Sequence, residues 1–228
     1  TYPNSAEQIT DALISKRLSN PTIPISVITD SMNTLYGSND SIFFDELKKH
    51  NIQVIVTNMK PLRDSNPIYS SIWRSYLQWW KPSQNGFLPN AFNPDGGKAS
   101  VGSYLDLLNF KANHRKIVMN ESQALITSAN LTHDGSSFHS NIGFVVQGGI
   151  LTDLYESEKA VAELSGVSLP DATFKRDSTE GELEVKLITE GKIKDAMLQA
   201  LTATNEHSTV KIGVFYISDR DIVKALKD

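Results

Sequence analysis

The 228-residue chain contains no cysteine, which excludes disulfide bonds and thiolate metal sites and leaves its redox compartment open. No apolar run approaches the roughly 18 residues that a membrane span requires. Metal-ligand spacing, nucleophile-elbow motifs and phosphate-loop glycines are also missing, so we expect neither a metal nor another cofactor. The chain begins at Thr1 without a signal peptide, which favours a processed form or a fragment. Its localisation is left open, membrane association and export included.

Positive and negative charges nearly balance, with 22 Lys and Arg residues against 26 Asp and Glu residues. The net charge is −4, and 21% of the residues are charged against 39% that are hydrophobic, which is typical of a globular protein with a sizeable core. The chain as a whole is therefore not expected to attract nucleic acid or anionic lipid, although a local basic pocket is compatible with this composition.

Hydrophobic periodicity predicts alternating strands and helices in the first 164 residues. The expected helices cover residues 5–18, 42–50, 68–80 and 151–164; the expected strands cover residues 25–29, 53–57, 114–119, 124–128 and 142–147. This order predicts an α/β fold with a mixed, mainly parallel sheet and helices packed on it. Residues 81–103 are rich in Pro, Gly and Asn and are predicted to form a long loop.

A second domain is predicted to begin late in the chain. Residues 165–182 have the composition of a linker and follow a first domain that covers residues 1–164. Residues 183–228 then repeat the strand–helix–strand–helix order, with strands at 184–189 and 209–216. Two strands and two helices make a poor independent domain, so we interpret this part as the start of a truncated second one.

His114 and Lys116 stand two residues apart inside an apolar run. On a strand, residues i and i+2 project to the same face, so both side chains are expected to point into one space while Arg115 and Ile117 point away. An imidazole is a competent nucleophile near neutral pH, and a fixed cation stabilises developing negative charge. This pair therefore suits attack on a phosphorus centre.

A hairpin is predicted to bring Asn130 to the same place. Residues 120–123 form the expected turn, and a turn centred between Glu121 and Ser122 places Ala129 opposite His114. Asn130 then lies within side-chain reach of His114.

The residues around this hairpin resemble the phospholipase D superfamily, particularly its bacterial cardiolipin-synthase-like members. The resemblance rests on residues 108–121 (LNFKANHRKIVMNE) and 127–130 (TSAN), which are similar to the family's His-x-Lys and Gly-Ser-x-Asn segments; residues 63–80 and 131–141 are also similar. It implies a phospholipase D-like fold with helices on both faces of the sheet and an incomplete second copy. It also implies a metal-independent phosphodiesterase or transphosphatidylase that acts on phospholipids through a phosphohistidine.

The resemblance also implies roles for particular residues. His114 is the expected nucleophile, and Lys116 and Asn130 hold the phosphate oxygens. Either Glu121 or Asn120 takes the position of the family's Asp. Further candidates for substrate binding are Ser128, Asn141 and Arg63. The aromatic residues of segment 68–80 belong either to a core helix or to a membrane-interface patch.

The family's enzymes use two His-x-Lys motifs, whereas this chain has one. The partner half is expected either from the missing C-terminal part of a longer protein or from a homodimer. The homodimer corresponds to an alternative reading as a single-motif nuclease, which the acidic composition disfavours because a nuclease needs a basic groove. A non-catalytic domain that binds phosphate or lipid is a third alternative.

Overall fold

The structure, a computed structural model, describes residues 5–38, 41–62, 67–91, 97–109, 111–131, 140–175, 184–214 and 216–227. The chain divides into two units, Thr1–Ser178 and Thr179–Asp228. The described part contains seven α-helices and five strands, so the predicted mixed α/β class is confirmed.

A two-stranded parallel sheet lies near the start of the first unit. Strands β1 (Ser26–Thr29) and β2 (Gln53–Val56) pair in parallel, with Ser26 opposite Gln53. Helix α2 (Ile42–Lys49) connects them and packs on β2, and helix α1 (Ser5–Ser19) packs on α2. Parallel strands need such a crossover because a short turn cannot return the chain to the same end of the sheet.

The second sheet is antiparallel and has the order β3-β4-β5. It contains β3 (Ile117–Met119), β4 (Ala124–Thr127) and β5 (Gly143–Val146). The pairing of Ile117 with Ile126 and of Met119 with Ala124 confirms the predicted hairpin and its register.

Helix α5 (Ile150–Leu164) packs on the parallel sheet and is hydrogen-bonded to the segment just before β3. Its buried side chains recur at helical spacing and are Leu151, Leu154, Val161 and Ala162. Ala162 packs with Ile55 of β2, and the backbone carbonyl of Ser157 accepts a hydrogen bond from Arg115, just before β3. This helix therefore fixes the hairpin relative to the parallel sheet.

The aromatic segment forms helix α3 (Pro67–Ile72), which continues as a π-helix (Trp73–Leu77). The expected 68–80 helix is thus present, but its last part has a wider turn, closed by the Gln78 N–H bonded to the Trp73 carbonyl at 2.8 Å. Trp73 is buried while Tyr76, Trp79 and Trp80 are exposed, so the segment is only partly a core helix.

Helix α4 (Val101–Leu108) begins within the segment predicted as a loop. Ser100 caps it by accepting a hydrogen bond from the Ser103 N–H, a signal that the surrounding Pro and Gly residues obscure. Three buried serines join its start to the turn at residues 35–38, because the hydroxyls of Ser38, Ser100 and Ser103 contact one another. We call these three residues the serine cluster.

The second unit contains helices α6 (Gly191–Thr202) and α7 (Arg220–Ala225). The Asp219 side chain caps α7 and also pairs with Lys194 of α6 at 3.0 Å. The strands predicted at 184–189 and 209–216 do not form in the described part of either segment. Within the described ranges neither segment pairs with a strand, and the apolar residues there are largely exposed.

The prediction of a single, mainly parallel sheet is wrong for the described residues. They make a parallel pair and a separate antiparallel triplet, since β1 and β2 find no further parallel neighbour in the described ranges. In the same ranges, no helix has the length and apolar character to cross a membrane.

Candidate functional site

The motif residues lie just before β3, where the chain enters the antiparallel sheet. The strand predicted at 114–119 therefore forms only from Ile117 to Met119. The Thr127 N–H donates to the Lys116 carbonyl at 3.0 Å, so the pairing extends one residue before β3. Continued by two more residues, the same register places Ala129 opposite His114.

Strand alternation puts His114, Lys116 and Val118 on one face of this sheet, which we call the motif face. Val118 is paired with Leu125 and Leu125 with Val145, so these three side chains form a row across the motif face. All three are exposed. A Cβ placed on Gly143 would lie 3.2 Å from the Leu125 Cδ1 atom, which confirms that β5 presents the same face.

Lys116 turns back along its own strand. Its Nζ donates to the His114 carbonyl at 2.8 Å, which holds the ammonium beside the histidine backbone. Burial lowers the pKa of the Lys116 ammonium from its ordinary value. The His114 side chain is exposed and thus open to a reactant from solvent.

Arg115 points to the opposite face, as strand alternation predicts. Its Nη1 lies 3.3 Å from the Glu158 Oε1 and donates to the Ser157 carbonyl at 3.1 Å. Burial raises the pKa of the Glu158 carboxyl, and the Arg115 charge opposes that rise. The Arg115–Glu158 pair anchors the segment before β3 on α5 and leaves the motif face uncovered.

Asn130 and Ser128 lie beyond the end of β4, and both are exposed. The Ser128 hydroxyl donates to the Asn141 Oδ1 at 3.0 Å and accepts from the Ile142 N–H at 3.0 Å. These bonds join the segments that leave β4 and enter β5. Ser128 and Asn141 are thus brought together, next to the segment that carries Asn130.

Asn120 and Glu121 occupy the tip of the hairpin. The Asn120 Oδ1 accepts from the N–H groups of Ser122 and Gln123 at 2.9 and 3.0 Å, which stabilises the turn. Glu121 is exposed, and its carbonyl accepts from the Lys175 N–H at 2.7 Å. Six or seven residues of chain, three of them in β3, separate both from His114, a span of at most roughly 20 Å. The geometry gives Asn120 a place in the turn.

Asp30 also belongs to this site, although no motif in the sequence includes it. It follows β1 directly and accepts a hydrogen bond from the Asn113 N–H, one residue before His114. Its other carboxylate oxygen accepts from the Met32 N–H at 2.8 Å. Asp30 therefore ties the motif strand to the carboxyl end of the parallel sheet. In the sequence, the feature that could have indicated this role is the position of Asp30 directly after the strand predicted at 25–29.

Arg63 lies outside the described residues, as does most of segment 131–141. Within the described ranges, no three histidine or carboxylate side chains are grouped closely enough to hold a metal ion.

The fold and this site define the chain as a mixed α/β protein with a His-x-Lys pair just before an edge strand, in which His114 is exposed and Lys116 is partly buried. No family model, no curated protein and no solved structure significantly matches it.

Proposed function

We propose that this chain is one half of a phospholipase D-type phosphodiesterase or transphosphatidylase, and that it has a phospholipase D-like fold. The observation that supports the proposal is the register of the β3–β4 hairpin, in which Ile117 lies opposite Ile126. Continued toward residue 114, this register would bring Ala129 opposite His114 and Asn130 next to it. Family resemblance in the same residues supplies the reaction class.

In the proposed reaction, a neutral His114 nitrogen attacks the phosphorus atom of a phosphodiester. An N–P bond forms, the P–O bond to the head-group alcohol breaks, and the departing oxygen takes a proton from an acid. Water or a second alcohol then attacks the phosphohistidine, which restores the free imidazole. Lys116 and the Asn130 amide stabilise the negative charge on the phosphate oxygens.

The acid is proposed to come from a second His-x-Lys half that covers the motif face. Val118, Leu125 and Val145 form an exposed apolar row there, and such a row on a sheet favours burial against another surface. Either the remainder of a longer protein or a second copy of this chain can provide the half. The two sources differ in concentration dependence, because only a homodimer dissociates on dilution.

A phospholipid surface is the proposed location of the substrate. Ile68, Ile72, Tyr76 and Trp79 recur along α3, the π-helix and the turn that follows, at spacings that place them on one side. All four are exposed, and indole and phenol rings favour the interface between water and lipid. This favours the membrane-interface alternative for the aromatic segment, apart from buried Trp73.

The proposal is tested with vesicles of phosphatidylglycerol that carry a labelled acyl chain. The full-length protein is expected to release or exchange the head group and to form a covalent phosphatidyl-enzyme on His114. His114→Ala should lower turnover on the order of 10⁴-fold and abolish the adduct. Lys116→Ala should lower turnover on the order of 10²-fold.

His207→Ala is the matched control, because His207 is exposed in the other unit and should leave turnover unchanged. Turnover of DNA but not of lipid would replace the proposal with the nuclease alternative. Absence of turnover with every phosphodiester, at all protein concentrations, would leave only a binding domain.

A further inference from the structure

A cavity of about 580 Å³ lies beside the carboxyl ends of β1 and β2. Ser31 and Thr34, which follow β1, line it together with residues 57–60, which follow β2. Ligands of open parallel sheets bind in this position, outside the carboxyl ends of the strands. The lining includes neither His114 nor Lys116, so the cavity is separate from the motif face.

Two residues of the cavity lining carry a buried hydrogen-bonding group that has no partner among the described residues. These are the Trp73 Nε1 and the Thr57 Oγ1 atoms, in side chains that are 2% and 3% exposed. Most buried polar groups in native proteins are paired, because each unpaired group costs about 1–3 kcal/mol. An indole N–H is only a donor, so its partner must supply an acceptor atom.

The backbone at two points of the lining also departs from regular structure. Trp73 begins the π-helix, and single π-turns occur frequently at functional sites. Leu35, Tyr36 and Gly37 all have positive φ, and the first two pay a steric cost for it. That turn is held by the serine cluster and carries Tyr36 into the lining.

The charges in the lining favour an anion. Four lysines (Lys48, Lys60, Lys81 and Lys111) stand against two aspartates (Asp45 and Asp106), a surplus of two positive charges. The Lys60 Nζ lies 5.6 Å from the centre of the Trp73 ring and 3.1 Å from the Asp106 carboxylate. Burial, with the Asp30 and Asp106 carboxylates nearby, raises the pKa of Tyr36 to about 12, so its hydroxyl stays protonated.

We propose that this cavity binds an organic oxyanion, a small molecule bearing a phosphate or carboxylate group whose oxygen accepts from the Trp73 indole and the Thr57 hydroxyl. The volume falls within the range of about 300–1,000 Å³ that is common for small-molecule sites. Tyr36 and Phe44 supply aromatic surface for the carbon part of the ligand. The proposal does not depend on phosphodiesterase activity.

The test titrates the protein with glucose 6-phosphate, glutarate and inorganic phosphate, with glucose and sodium chloride as controls. The Trp73 indole N–H resonance, assigned through its loss in Trp73→Phe, is expected to shift saturably with an organic anion. Calorimetry should show at least about tenfold weaker binding in Trp73→Phe and Thr57→Val, since a hydrogen bond to a charged group is lost. Trp79→Phe is the matched control, because its exposed ring does not line the cavity.

A response to glucose 6-phosphate alone assigns the phosphate class, and a response to glutarate alone assigns the carboxylate class. A site that holds only water would give no saturable shift with any anion, and this result overturns the proposal. Equal binding by the wild type and both folded variants overturns it as well.

Discussion

Arg115 pairs with the largely buried Glu158 carboxyl on the side of the motif segment opposite His114. Removing it in Arg115→Ala leaves Glu158 without its cation and raises the Glu158 pKa further. A folded-state pKa above the unfolded value means that the folded protein binds the proton more tightly, so stability falls as pH rises between the two values. We expect Arg115→Ala to lower the free energy of unfolding by about 1–3 kcal/mol at pH 7, a moderate loss because the ion pair is only partly buried. The loss should be smaller at pH 5, where Glu158 is more readily protonated.

Urea unfolding at the two pH values measures this effect. The double variant Arg115→Ala/Glu158→Gln should recover most of the loss at pH 7, since it removes the stranded charge. A loss of equal size at both pH values would show that packing, not charge, is the cause.

Thr57 and Thr29 are buried threonines at the ends of adjacent strands, and they differ in whether the hydroxyl is hydrogen-bonded. The Thr57 Oγ1 has no partner in the described part of the chain, whereas the Thr29 Oγ1 accepts from the Asn33 Nδ2 at 2.8 Å. Thr57→Val should therefore stabilise the ligand-free protein by about 1 kcal/mol, and Thr29→Val should destabilise it by about 1 kcal/mol. Thermal melts of the pair measure both, and destabilisation by Thr57→Val would argue that a bound water satisfies its hydroxyl.

Among the elements, helix α4 approaches the backbone of the aromatic segment through Gly102. A Cβ on Gly102 would lie 2.5 Å from the carbonyl oxygens of Trp80 and Lys81. Gly102→Ala should destabilise the protein by about 1–3 kcal/mol, although alanine is the better helix former. Gly149→Ala, where the Cβ meets open space, should stay within about 0.5 kcal/mol of wild type in the same chemical denaturation. Equal stability of the two variants would contradict this close packing.

Elements with a local sequence signal were predicted well. The helices α1, α2 and α5, the first two strands and the hairpin register all follow from periodicity and turn composition. Helix α4 was missed because its capping serine sits at the end of a Pro- and Gly-rich stretch. The strands expected in the second unit failed because a strand depends on a partner that its own residues do not specify.

The candidate site also has a part that could be predicted from local sequence and a part that could not. The register of the β3–β4 hairpin, which follows the motif residues, could be predicted from the turn composition alone. Asp30 and the cavity lining come from segments far apart in sequence, and only the fold brings them together. The burial of Trp73 and the exposure of Trp79 depend on a π-turn that a regular helical period does not predict.

For the whole molecule, the proposed function predicts that the exposed tryptophans at the end of the α3 segment contribute to membrane binding. Trp79 and Trp80 are 74% and 62% exposed. Trp79→Ala/Trp80→Ala should weaken cosedimentation with phosphatidylglycerol vesicles by about tenfold, because insertion of an aromatic ring contributes about 1.5–3 kcal/mol. Leu18→Ala removes an exposed apolar side chain from α1 and should leave sedimentation unchanged. Unaltered binding of the tryptophan variant would place the lipid contact elsewhere.

The serine cluster has a consequence for how substitutions combine. The Ser38 hydroxyl carries one proton but lies within hydrogen-bonding distance of the Ser83 carbonyl and of the Ser100 hydroxyl, each at 3.1 Å. If the Ser38 hydroxyl donates to Ser83, it is free to accept from Ser100; if it donates to Ser100, it is not. The direction of the hydrogen bond between the Ser100 and Ser103 hydroxyls, 2.8 Å apart, therefore depends on the Ser38 proton. The three protons therefore reorient together, and the energy belongs to the trio and not to any pair. Once one of the three serines is replaced by alanine, replacing a second should lower the free energy of unfolding by less than the same substitution does in the wild type. The two effects on stability are therefore not additive.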